Sequence, residues 1–146
     1  MEKHNVIKEL EHYSISLSRD GTTMLFGWND TRGLSALKFA DGITDFAASC
    51  VTHQPTRAVI DARQLDQGSE AFSWLRGQTQ VDGLDAYDPW WLQTIVPLYH
   101  DAHIAALAVA TGDPTAPGEV PTPPEVNFKI GYFADVESAS TFPSPI

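Results

Sequence analysis

Between Gly33 and Thr52 the apolar residues Leu34, Leu37, Ala40, Ile43, Phe46, Ala47 and Cys50 recur every three or four positions, and Pro55 stops the pattern just before the apolar run Ala58, Val59, Ile60. This succession constrains the fold more than any other feature of the chain. The spacing predicts an amphipathic helix with one buried stripe, weakened locally by Gly42. The apolar run after it is short, does not alternate and ends in charge. It predicts a strand buried on both faces, parallel to a neighbour and reached by a helical crossover. A chain built around such a unit belongs to the α/β class.

The remaining segments supply partners for that strand. HYSISLS alternates Tyr13, Ile15 and Leu17 against polar residues, which predicts a half-buried strand. Asp20-Gly21 is hairpin-turn chemistry, and TTMLFGW predicts the returning strand. Asp88 as a cap and Pro89 at the first helical position open a second helix with Leu92, Ile95, Val96 and Tyr99 on its buried face. Pro97 inside it removes one backbone bond and predicts a bend, at a local cost of about 3 kcal/mol. Ile104 to Ala110 predicts a further buried strand, NFKIGYF a last one, and DVESASTF a terminal helix capped by Asp135.

Two stretches lack a clean pattern. Ser69 predicts the cap of a short helix anchored by Phe72, Trp74 and Leu75, followed by a loop through VDGLDAYD. The tract GDPTAPGEVPTPPE, with five prolines and two glycines, predicts an exposed loop, extended in places. The expected order is β-β-α-β-α-β-β-α in a single domain over 1–146, with a mixed sheet of about five strands and helices packed mainly on one side.

Composition narrows the function classes. The 146 residues suit one domain, and a hydrophobic content of 42% suffices for a core. Nineteen acidic against nine basic side chains leave a formal charge of −10, which repels nucleic-acid phosphates and anionic lipid, so nucleic acid is not expected as a partner. No segment reaches the roughly 20 apolar residues of a membrane span, so no membrane insertion is expected. Cys50 is the single cysteine, which precludes an intramolecular disulfide or a thiolate cluster and suits a reducing cytosol. Its flanks, FAASCVT, place it on the buried side of a helix as an inert thiol. MEKHNVIKEL has neither a long apolar run nor a small-residue cleavage site, and the expected location is cytoplasmic.

Three sets of side chains could carry chemistry. His100 and His103, at i and i+3, can share a helix face and fill two positions of a zinc site; equally, a histidine in a last turn interacts favourably with the helix C-terminus without metal. Trp90 and Trp91 diverge by about 100° on a helix, so both cannot bury against one sheet. With Trp28 and Trp74 they either cover the helix layer or present a surface to a ligand or partner. Asp61 and Arg63 stand at the exit of the central strand, where open α/β sheets bind ligands, and could equally form a local ion pair. No Gly-rich phosphate loop, G-x-S-x-G or legible catalytic triad is present, which points away from an enzyme and leaves no cofactor to expect.

Across Tyr13 to Phe142, the hairpin ending in LFGW, the helix after it, the strand VIDAR, the segment WWLQTIVPLYHDAHIAALAVA and the closing GYFADVESA together resemble the SpoIIAA-like proteins of the STAS and Sec14-related superfamily. The resemblance implies a SpoIIAA-like (STAS-like) fold. It sets Asp61 at the strand-end aspartate of the family. In the family's anti-sigma-factor antagonists a phosphorylatable serine follows in a D-S-S-G pattern; here Gln67-Gly68-Ser69-Glu70 occupies that region, with Ser69 as the shifted counterpart. With the surplus tryptophans and the acidity, the resemblance implies a noncatalytic cytosolic regulatory module that acts through a protein surface and as a homodimer. The Sec14-related kinship implies a second reading. In it a small apolar ligand lies between the Pro97-bent helix and the sheet near Trp91, Trp74 and Arg63.

Overall fold

The run Arg57–Asp61 (β4) is an interior strand of a seven-stranded mixed sheet. The computed structural model describes residues 4–10, 12–28, 36–63, 78–81, 84–87, 91–116, 118–122 and 124–142; for residues 4, 36–39, 78–81, 84–87 and 91 it describes the backbone path alone. On one side β4 pairs in parallel with β3 (Thr23–Trp28), and on the other with β7 (Ala106–Ala110). Beyond β7 lies β9 (Lys129–Phe133), also parallel. Antiparallel strands close both margins: β2 (Tyr13–Ser18) and then β1 (His4–Glu9) beside β3, and the short β8 (Gly118–Val120) beside β9. The order β1-β2-β3-β4-β7-β9-β8 follows the chain except at the last pair.

That near-sequential order explains where the helices go. Right-handed crossovers that progress in one direction along a parallel sheet put their helices on the same face. Helix α1 (Ala36–His53) joins β3 to β4, helix α2 (Val96–Ala102) precedes β7, and the two pack on each other over one face. Cross-strand rows on that face run unbroken through Ile15, Phe26, Ile60, Val109 and Tyr132, and through Met24, Ala58, Leu107 and Ile130. Every one of these residues is buried, as are Ile43, Phe46, Ala47 and Cys50 of α1 and Val96, Tyr99 and Ala102 of α2. The period-three-and-four stripe therefore meets the period-two rows of the sheet. Burial pushes the Cys50 thiol far above its ordinary pKa, as an inert core thiol requires.

Aromatic rings link the layers. Phe26 lies 5.0 Å from Tyr13, 4.7 Å from Trp28 and 5.3 Å from Phe46, centroid to centroid; Phe46 continues to Tyr99 at 6.5 Å and Tyr99 to Phe128 at 5.6 Å. Gly42 has a packing reason. A Cβ there would stand 3.3 Å from the Tyr13 ring and 3.4 Å from Trp28, so glycine lets α1 cross close to the hairpin.

Among the described residues the opposite face carries one short helix. Helix α3 (Val136–Ser140) packs there on β4, β7 and β9, around Val59, Ala106, Ala108, Ala110, Ala139 and Phe142. Small residues make the approach close: a Cβ on Gly131 would come within 2.7 Å of the Phe133 ring and 3.2 Å of Phe142.

Four differences from the sequence reading have physical causes. The strand β1 is not foreseen, because Val6 and Ile7 are adjacent and a bulge between Val6 and Lys8 breaks the alternation. A two-stranded hairpin, β5 (Gln78–Val81) with β6 (Leu84–Tyr87), replaces the loop expected through VDGLDAYD; Asp82-Gly83, read as a breaker, sits between the strands where a hairpin-turn dipeptide belongs. Part of the proline-rich tract is strand β8. Finally, Pro97 does not interrupt an α-helix: residues Trp91–Ile95 form a π-helical turn, and Pro97 falls in the first turn of α2, where its missing N–H is not needed. The helix cap at Ser69 and those at Asp88 and Pro89 lie outside the described residues.

Candidate functional site

The carboxyl ends of β4, β7 and β9 form one polar rim. Pairing continues past β4, with the Ala62 N–H donating to the Ala110 carbonyl at 2.8 Å, and the chain then turns Arg63 back onto Asp61. Arg63 Nε donates to Asp61 Oδ1 and Nη2 to Oδ2, both at 2.8 Å, and the Arg63 backbone N–H adds a bond of 3.2 Å to Oδ1. This two-pronged geometry holds both side chains in one plane. The Asp61 carboxylate raises the already high guanidinium pKa further. The Arg63 side chain is 49% exposed and that of Asp61 23%, so the pair is held at the surface with the guanidinium edge open to solvent.

The neighbouring strands wall this pair. After β7, the Thr111 N–H donates to the Phe133 carbonyl at 2.7 Å and the Gly112 N–H to the Ala134 carbonyl at 3.0 Å. Gly112 takes φ +79° and lies against the aliphatic stem of Arg63. Asp113 Oδ1 accepts the Thr115 N–H at 2.8 Å and the Thr115 hydroxyl at 2.7 Å, which lowers the Asp113 pKa. From β9, Asp135 caps α3 by accepting the Ser138 N–H at 2.7 Å, as the sequence predicts. That bond, and secondarily the charge of Arg63, lowers the Asp135 pKa. Arg63 is thus a cation paired with Asp61 and close enough to Asp135 to act on its charge, just past the carboxyl end of a strand whose central residues are buried. Thr111, Gly112 and Asp113 escaped the sequence reading; the Gly-Asp-Pro at a strand end is the signal that could have found them.

A second polar cluster lies at the far margin, between β1 and α1. Asp45 of α1 accepts the Tyr13 hydroxyl on Oδ2 and the Lys8 ammonium on Oδ1, both at 2.6 Å. Burial, and then the hydrogen bond to Asp45, raise the Tyr13 pKa. Beside this cluster a groove of about 180 Å³ is lined by Ile7, Lys8, Asp45, Ala48, Ser49 and His53.

The other expected residues fall as follows. His100 Nε2 accepts the Asn127 N–H at 3.3 Å and its ring packs on Phe128, while His103 adopts the left-handed conformation, φ 60°, that ends α2, its N–H bonding to the His100 carbonyl. The His100 imidazole thus has a structural partner, and His103 serves the helix end through its backbone. Among the described residues no group of three or more His, Cys, Asp or Glu side chains gathers as a metal ion would require. Trp91 opens the π-helical turn, but its side chain, together with Ser69, Trp74 and Trp90, lies outside the described residues. The structure therefore brings together Asp61 and Arg63 alone of the expected set. Among the described residues no helix is long and apolar enough to cross a membrane. No family model matches the sequence, and no curated protein or solved structure matches it.

Proposed function

We propose that the chain is a noncatalytic regulatory module of the SpoIIAA-like kind that binds a protein partner in the cytosol through the rim around Arg63. The observation that carries this reading is the Asp61 and Arg63 pair itself. An interior parallel strand delivers it rigidly, it is displayed at the carboxyl edge of the sheet where α/β proteins bind, and it leaves a guanidinium edge accessible. Arginine is favoured at protein interfaces because a planar, preoriented fork loses little entropy on pairing. Arg63, held beside Asp61 and near Asp135, suits a partner group that presents a carboxylate to Arg63 and a donor to Asp135. The homodimer implied by the resemblance, the surplus tryptophans and the acidity belongs to the same reading.

One observation favours the second reading. The Tyr99 hydroxyl is fully buried and has no hydrogen-bond partner among the described residues. An orphaned polar atom at that depth is costly and suits a small, mostly apolar ligand carrying one polar group. Native mass spectrometry of chain isolated gently from its own cells separates the two. Association with a protein of discrete mass supports the regulatory module, a retained molecule of small mass supports the ligand carrier, and a bare 16.0 kDa chain in every preparation contradicts both.

A further inference from the structure

The outer edge of β1 and the groove behind it form a second surface, at the opposite margin of the sheet from the rim around Arg63. Among the described residues, strand β1 pairs with β2 on one side only, so none of them uses the backbone N–H and C=O groups of its other side in the sheet. Proteins usually guard such an edge with an outward lysine. Here the bulge between Val6 and Lys8 turns Lys8 over α1, where Asp45 holds it at 2.6 Å, and the edge keeps exposed apolar residues instead: Val6 is 61% and Leu10 48% exposed. Between this edge and α1 lies the groove of about 180 Å³, larger than the roughly 150 Å³ cavity that admits a benzene molecule. An unused strand edge beside a helix-walled groove is the arrangement in which extended peptides add a strand to a sheet and place alternate side chains in pockets.

We propose that this edge docks an extended basic segment of a partner protein, which pairs with β1 as an added outer strand and seats one apolar side chain in the groove over Ile7 and Ala48. The charge of the edge selects the occupant. Glu9 is exposed on β1 and Asp41 is exposed on α1, close enough to act on the Tyr13 hydroxyl, while Lys8 and Asp45 neutralise each other. The whole chain adds a formal −10, which draws a basic segment and repels an acidic one. A second copy of the chain is a poor occupant, because it would bring the same Glu9 and Asp41 to the contact.

Panning a displayed library of random nonapeptides against the 146-residue chain tests the proposal. The expected winners alternate apolar residues with lysine or arginine. A fluorescent peptide of the winning sequence then loses at least ten-fold in affinity on the Ala48→Gln chain, whose added side chain fills the groove from an exposed helix position. Methylating alternate peptide nitrogens abolishes binding with the charge intact, and Arg63→Glu leaves it unchanged, which separates this surface from the rim. Circular dichroism confirms that both variants fold. Acidic winners, an absence of enrichment, binding indifferent to Ala48→Gln, or a dimer whose β1 amides are protected from exchange would each overturn the proposal.

Discussion

Tyr13 donates its hydroxyl to Asp45 Oδ2 at 2.6 Å, and this one bond ties the hairpin strand β2 to helix α1 across 32 residues of sequence. Lys8 reaches the other oxygen of the same carboxylate at the same distance, yet the two bonds differ in worth. The Lys8 side chain is 45% exposed, so its ion pair is screened by water and contributes about 0 to 1 kcal/mol. The Tyr13 bond is part-buried and charge-assisted. Tyr13→Phe should cost about 1 to 2 kcal/mol in urea unfolding, and Lys8→Ala clearly less. Equal costs would show that the carboxylate is solvated and that the hairpin is not held through it.

The two faces of the sheet should respond to opposite changes. Phe46 is fully buried amid Phe26 and Tyr99, so Phe46→Ala leaves a cavity and should cost about 3 to 5 kcal/mol. On the α3 face the limit is space. Gly131→Val forces the rings of Phe133 and Phe142 aside and should cost about 1 to 3 kcal/mol by overpacking. Thermal unfolding of both variants checks the assignment of faces; a neutral Gly131→Val would mean that α3 does not press on β9.

Asp20 sets an acid dependence. Its Oδ1 accepts the Ser18 hydroxyl and the Thr22 N–H and hydroxyl, and these bonds lower its pKa from 3.8 to about 2. A carboxylate with a depressed folded-state pKa stabilises the fold above its unfolded-state value and loses that contribution as pH falls through the folded one. The turn should therefore weaken between about pH 4 and about pH 2. Stability measured against pH should fall less steeply over that interval in Asp20→Asn than in the natural chain; an identical slope would remove Asp20 from the acid transition.

His103 occupies a left-handed backbone position that glycine adopts without strain. His103→Gly should stabilise α2 by up to about 1 kcal/mol, read as a higher unfolding temperature. Were the histidine instead a metal ligand, the same change would abolish a zinc-dependent rise in that temperature.

The sequence is most legible where burial is deepest. The α1 stripe carries its period plainly, and the runs Val59 to Ile60 and Leu107 to Val109 are unbroken by polar residues, since a face that must lose water tolerates few exceptions. Elements held mainly by backbone pairing leave little trace: β1 is exposed and bulged, β8 has three residues, and the Gln78 to Tyr87 hairpin announces itself through Asp82-Gly83. The candidate site was half legible. Asp61 and Arg63 follow from the end of a buried strand; Gly-Asp-Pro marks the end of β7, but that Gly112 comes to lie against Arg63 depends on β7 running beside β4, a neighbour relation that no local pattern encodes.

The most direct test of recognition at the rim is a photoreactive amino acid placed in living cells at position 137, exposed two residues from Asp135 with Arg63 left in place, with position 56, before the start of β4, as the control. Recognition at the rim predicts a discrete protein adduct from position 137 that is lost in Arg63→Ala, and none from position 56. Adducts of equal yield from both positions, or an adduct from position 137 that survives Arg63→Ala, would contradict it.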